Sequence, residues 1–89
     1  MTEIAFSSSF KRAFKKRVEG RKPLEGKFWK RVEMFESDPH DARLRTHKLS
    51  GDLQEYWSFS IEYDVRVVFQ FANGNRAVFT DIGSHDEVY

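Results

Sequence analysis

The chain has 89 residues and no cysteine, and 16% of it is aromatic, with nine Phe. That suits one domain spanning 1–89 around a single core, and it excludes disulfides and thiolate metal sites. No apolar run approaches the ~18 residues of a membrane span, so no membrane partner is expected and a reducing cytoplasm is the expected location.

Charge is divided along the chain. The net value of +1 hides 13 Lys/Arg against 7 Asp/Glu in residues 1–48, and 2 against 7 in residues 49–89. Lys11 to Arg31 alone carries ten basic residues and two acidic ones. Such a run is either a solvated helical face or a surface for a polyanion, and its density favours nucleic acid. Lys15 and Lys16 are its RNA-binding candidates.

Apolar residues alternate over 4–7, which predicts a short strand. Ser7 to Ser9 supplies N-cap candidates for a helix over 8–19, striped by Phe6, Phe10, Phe14 and Val18 and stopped at Gly20. Pro23 opens a second helix, with Leu24, Phe28, Val32 and Phe35 as its buried stripe, and Ser37-Asp38-Pro39 ends it. These stripes are core rather than a binding groove. Residues 40–50 show no period and read as a loop, with His40 exposed and without a role.

Period two takes over from Tyr56. Asn73-Gly74 predicts a two-residue hairpin turn pairing Ala72 with Asn75, Phe69 with Val78, Arg66 with Asp81 and Val65 with Ile82. A three-residue loop, 62–64, pairs Ile61 with Val65. One face then carries Trp57, Phe59, Ile61, Val65, Val67, Phe69, Phe71, Val78 and Ile82 against the helices. The other shows Ser58, Ser60, Arg66, Val68, Gln70, Phe79 and Asp81 and is left open. The expected fold is α+β: an N-terminal strand and a two-helix hairpin packed on one face of a small antiparallel sheet.

In this register Ser60, Arg66 and Asp81 form one row, Asp64 sits in the adjoining loop, and His85 comes just past the strand end. His47 lies in the loop leading to the same strands. An imidazole can move a proton near neutrality, and a guanidinium offers a planar fork matched to phosphate oxygens. RNA supplies its own nucleophile, the 2′-hydroxyl, so base, acid and a cationic clamp suffice for cleavage. Each residue also has a plainer role: Arg66–Asp81 as a structural ion pair, His47 and His85 as loop residues. Three scattered His without Cys give no zinc spacing, and the five isolated Gly form no phosphate loop.

RLRTHKLSGDLQEYWSFSIEYDVRVVFQF (residues 43–71) and FTDIGSHDEVY (79–89) resemble the RelE/ParE superfamily of type II toxins. The similarity is greatest to YafQ-like ribosome-dependent mRNA interferases. The features that carry it are the HKLSG loop, YWSFSI, the YDVRVVF strand and the closing DIGSHDEVY, over residues 43–89. The basic helical hairpin before them is similar in layout only.

The resemblance implies an endoribonuclease that needs neither metal nor cofactor and cuts mRNA in the A site of the small ribosomal subunit, in contact with ribosomal RNA. It also implies a neutralising antitoxin as partner. By position, His47, Asp64, Arg66 and His85 match catalytic residues of the family, with Arg66 on the phosphate and His85 as general acid. Tyr89 matches an aromatic that stacks on a base; Lys48 and Ser60 adjoin these positions as RNA contacts. Two positions depart: Ser60 stands where YafQ-like toxins have a further His, and Val65 where they have an aromatic. The alternatives are a ParE-like toxin that inhibits DNA gyrase without cutting RNA, and a degenerate toxin that only binds its antitoxin.

Overall fold

A computed structural model describes residues 1–53 and 55–89. Its elements are β1 (Glu3–Phe6), α1 (Ser8–Arg17), α2 (Lys22–Ser37), β2 (His47–Lys48), β3 (Trp57–Glu62), β4 (Val65–Ala72), β5 (Arg76–Gly83) and α3 (His85–Val88), with single 3-10 turns at Ala42–Leu44 and Gly51–Leu53. The fold is α+β, as the residue pattern predicts. One sheet runs β1-β5-β4-β3-β2. It is mixed rather than wholly antiparallel, because β1 pairs parallel to β5 while the rest of the ladder is antiparallel.

Local chemistry sets the helix ends. The Ser7 hydroxyl accepts the Phe10 N–H at 3.1 Å, and Lys15, Lys16 and Arg17 occupy the last turn of α1, where cations meet the negative end of the helix dipole. Gly20 adopts φ +88°, which glycine tolerates freely, and Pro23 lies in the first turn of α2. Phe10, Val18, Leu24, Phe28, Val32 and Phe35 are buried against Phe59, Ile61, Val67, Phe69, Ala77, Phe79 and Ile82. Phe35 sits at the centre, its ring centroid 4.9 to 5.3 Å from those of Phe59, Phe69 and Phe79.

The loop expected over 40–50 holds more order than its sequence suggests. Leu44 is fully buried, and His47-Lys48 pairs with Ser58-Trp57 as an edge strand. Two residues are too few to show a period. His40 is exposed, yet its ring lies 5.6 Å from that of Trp57.

The predicted β4–β5 register is corrected in two steps. The turn holds three residues, Asn73-Gly74-Asn75, so Ala72 faces Arg76 and Phe69 faces Phe79. Phe79, expected on the open face, is therefore completely buried, while Val78 is only half-buried. Burying the larger aromatic removes more apolar surface from water. Asn75 is also engaged elsewhere: its carbonyl accepts the Glu3 N–H at 2.7 Å, where β1 begins.

The second step is a bulge at Thr80, after which Val68 faces Asp81, Val67 faces Ile82 and Arg66 faces Gly83. The bulge reverses the parity of β5, so Phe79 and Ile82 both reach the core although an odd number of positions separates them. Thr80 fills the gap by donating its hydroxyl to the Val68 carbonyl at 3.1 Å. The expected Arg66–Asp81 pair therefore does not form.

Between β3 and β4 the turn is Tyr63-Asp64, and Ile61 is the extra residue; Ser60 still faces Arg66, as predicted.

The face away from α2 is less open than expected. β1 covers only Arg76 to Phe79 of the β5 edge, and α1 covers the remainder of that edge. The Ser7 N–H donates to the Phe79 carbonyl at 3.1 Å, the Ser9 hydroxyl to Thr80 O at 2.8 Å, and Arg17 Nη1 to Ile82 O at 2.9 Å. Leu53, Tyr56 and Val88 wall the same side, and Ser58 and Val68 beneath are buried. Among the described residues, no helix is long and apolar enough to cross a membrane.

Candidate active site

Two cross-strand rows organise this face. His47, Ser58, Val68 and Asp81 form the first; Ser60, Arg66 and Gly83 form the second. Cross-strand neighbours lie about 5 Å apart and the rows about 7 Å apart. Asp64 lies in the turn beyond the second row, and His85 is two residues past Gly83. The backbone thus brings Ser60, Asp64, Arg66 and His85 to one end of the sheet, with His47 one row away on the far edge strand. It moves Asp81 one row away from Arg66.

The side chains divide among adjoining cavities. Arg66 and Ser60 line one of about 300 Å³ together with Arg31, Arg43, Arg45 and Tyr63. The Arg66 Nε is buried without a hydrogen-bond partner, and among the described residues Arg66 makes no ion pair. A buried, unpaired guanidinium donor is costly unless something accepts from it. Glu62 also lines this cavity, its carboxylate paired with Lys27 at 3.3 Å; beside the further arginines and a hydroxyl, the acceptor Arg66 suits is an oxyanion of phosphate type. Arg43 itself is held by Asp41 at 2.8 Å, and that hydrogen bond lowers the Asp41 carboxyl to a pKa of about 2.

Asp64 borders a second cavity of about 490 Å³, with Lys16, Arg17, Arg21, Ser84 and Glu87. A cleft of about 460 Å³ runs between α1 and the first row, lined by Arg12, Lys16, Tyr56, Val68, Thr80 and Asp81. Lys16 therefore joins this side. Lys15 lies instead along an aromatic groove with Phe6, Phe14 and Trp29. Lys48 pairs with Trp57, which packs on the core, so it faces opposite to His47.

The two histidines are exposed but constrained. His47 Nδ1 lies 2.9 Å from the Arg45 carbonyl, which can only accept, so Nδ1 is the donor; in the neutral ring this leaves the lone pair on Nε2. His85 begins α3, and its ring meets that of Tyr89 edge-on at 4.6 Å. A capping box holds this turn: Ser84 accepts from Glu87 N–H, and Glu87 accepts the Ser84 N–H at 2.7 Å. That backbone hydrogen bond lowers the Glu87 carboxyl from its ordinary value.

Sequence reasoning missed Arg12, Arg17 and Arg45. Arg45, which lines the cavity with Arg66, was within reach of it, being two residues before His47. Arg12 and Arg17 were hidden in the basic run, where nothing local separates a site residue from a solvated one. Among the described residues, no group of three or more His, Asp or Glu is placed to hold a metal ion.

Comparison with known proteins agrees with this fold. The family described as "Bacterial toxin of type II toxin-antitoxin system, YafQ" matches residues 2–89. No curated protein sequence matches significantly. Among solved structures, YafQ from E. coli strain BL21(DE3) superposes with a TM-score of 0.81 at 16% identity, covering 100% of this chain and 99% of that one. A metal-bound toxin from Helicobacter pylori gives 0.80 at 24%, covering both chains completely. The E. coli DinJ–YafQ complex gives 0.67 at 17%, covering 100% and 99%. At these identities the likeness is one of fold, and the family match over nearly the whole length establishes membership: the chain belongs to the YafQ family of toxins of bacterial type II toxin–antitoxin systems.

Proposed function

We propose that this toxin is an endoribonuclease that cuts mRNA on the ribosome in the cytoplasm. The observation that carries the reading is the second row: Arg66 offers an unpaired, buried donor beside Ser60 and Arg45, with His85 two residues past the strand that Arg66 faces. The 2′-hydroxyl attacks the adjacent phosphorus, forming the bond to O2′ and breaking the bond to O5′. A base takes the 2′-hydroxyl proton and an acid protonates the leaving 5′-oxygen, giving a 2′,3′-cyclic phosphate and a 5′-hydroxyl. Arg66 takes the charge that develops on the phosphoryl oxygens. His47, Asp64 and His85 share the proton transfers; His47 Nε2 is suited to the base and His85 to the acid. Tyr89, its ring against His85, offers a surface for an unpaired base, and Lys16 and Arg12 attract the RNA backbone along the cleft.

The partner is an antitoxin, as membership of a toxin–antitoxin family supports; E. coli YafQ likewise forms a complex, with DinJ. The antitoxin silences the toxin by covering this face.

The test is translation of a reporter mRNA with wild-type protein and with His47→Ala, Asp64→Asn, Arg66→Ala and His85→Ala, mapping breaks by primer extension. Codon-phased cleavage by wild type and its loss in Arg66→Ala and His85→Ala are expected. The absence of breaks with wild type, together with inhibition of gyrase supercoiling, would replace this reading by the ParE-like one.

A further inference from the structure

We propose that Arg17 is a positioning residue for this reaction: it clamps the turn that carries His85 and Tyr89 to the end of β5, beside Arg66. The inference rests on the nuclease reading and adds to it a residue outside the reacting group. Arg17 stands on α1 and reaches across the sheet edge. Its Nη1 donates to Asp81 Oδ1 at 3.1 Å and to the Ile82 carbonyl at 2.9 Å, and its Nε lies 3.6 Å from Glu87 Oε2. One guanidinium therefore holds β5 through two hydrogen bonds and stands at ion-pair distance from α3, its Nε making no hydrogen bond. The Arg17 side chain is 23% exposed and Asp81 33%, so their contact is partly shielded from water, while Glu87 is 46% exposed.

The neighbours are arranged around it. Asp81 Oδ1 also accepts the Ile82 N–H at 2.9 Å, which fixes the carboxylate. Glu87 Oε1 accepts the Ser84 N–H, so the carboxylate Arg17 holds is the one that closes the capping box around His85. Gly83, between β5 and α3, leaves the space the clamp occupies: a Cβ there would lie 2.8 Å from Glu87 Oε1 and 2.9 Å from Arg17 Nη1. The bulge at Thr80 matters as well, because it places Asp81 opposite Val68 rather than on the core face, where its carboxylate meets Arg17. Arg17, Asp81, Gly83 and Glu87 touch none of the reacting atoms, yet together they set where the imidazole stands.

The experiment is single-turnover cleavage of ribosome-bound mRNA, with hydrogen exchange of the 84–89 amides as a second readout. We compare wild type, Arg17→Ala, Arg17→Lys, Gly83→Ala, His85→Ala and the double variant Arg17→Ala/His85→Ala. Arg17→Ala should lose protection over 84–89 and slow cleavage on the order of 10²-fold, the scale of a small misplacement of a catalytic group. The double variant should be no slower than His85→Ala, because Arg17 acts through the histidine. Arg17→Lys should recover part of the rate, since lysine keeps the charge but lacks the fork. Gly83→Ala displaces only side-chain ends, so it should fold but cleave more slowly than wild type. Additive losses in the double variant overturn the positioning role, and full protection of 84–89 in Arg17→Ala overturns the clamp. Loss of 84–89 protection with no cleavage by wild type supports the clamp and overturns its catalytic part together with the nuclease reading.

Discussion

At the scale of single residues, Arg66 and Phe79 show how neighbouring strands serve both the core and the site. Phe79 packs its ring among Phe6, Phe10, Phe35, Phe59 and Phe69 and is fully buried. Phe79→Ala should cost about 3–5 kcal/mol in urea unfolding, the range for emptying an aromatic site in a core. Trp29, 51% exposed, should cost about 1 kcal/mol or less on the same substitution. Arg66, by contrast, holds a buried donor without a partner, a feature that stability alone does not reward. Arg66→Met should therefore leave the unfolding midpoint unchanged or raise it while abolishing cleavage; a marked loss of stability would indicate a structural arginine instead. Arg66 and Ser60 share a row because two β-strands and a tight turn put them there, and this was legible from the spacing of alternate residues. The unpaired Nε was not, because it depends on what other elements bring near it.

At the scale of elements, α3 and the β5 bulge decide the geometry of the site. The turn His85–Val88 is too short to persist on propensity, so its capping box and its ion pair with Arg17 must hold it. Glu87 titrates below its ordinary value of 4.5, first because its carboxylate accepts the Ser84 N–H. A carboxyl with a lowered folded-state pKa stabilises the fold above the unfolded value, and that contribution is lost as pH falls through the folded one. Protection of the 84–89 amides should accordingly stay flat from pH 7 to about 5 and fall below pH 4.5; in Glu87→Gln the step should vanish. The Thr80 bulge has a sharper signature. Deleting Thr80, the one unpaired residue, restores simple alternation with Phe79 and Ile82 still on the core face and Asp81 still opposite Val68. The deletion should therefore keep a native near-UV circular dichroism spectrum, at a cost in stability from the lost Thr80 hydrogen bonds; a scrambled spectrum would contradict the parity argument.

At the scale of the whole molecule, charge and shape are arranged on different principles. The basic residues of 11–31 ring the helical hairpin, and only Arg12, Lys16, Arg17 and Arg21 border the two cavities between α1 and the sheet end. If these cations hold a polyanion, binding to ribosomes should weaken steeply between 50 and 200 mM salt, about threefold per phosphate contact. Lys16→Glu should flatten that slope more than Lys15→Glu, whose lysine borders the aromatic groove; equal effects would argue for diffuse attraction. Length, the absence of cysteine, two amphipathic periods and a terminal run of alternation determined the class of fold and its helical hairpin, because burial of apolar stripes is a local pattern. The same run, with HKLSG and DIGSHDEVY, determined the family. Tertiary structure alone decided the register of β5, the burial of Phe79, the pairing of Asp81 with Arg17 and the closing of the face by α1 and α3. Each of these is a competition between contacts distant in the chain, won by the arrangement that buries the most aromatic surface while leaving the fewest backbone groups unpaired.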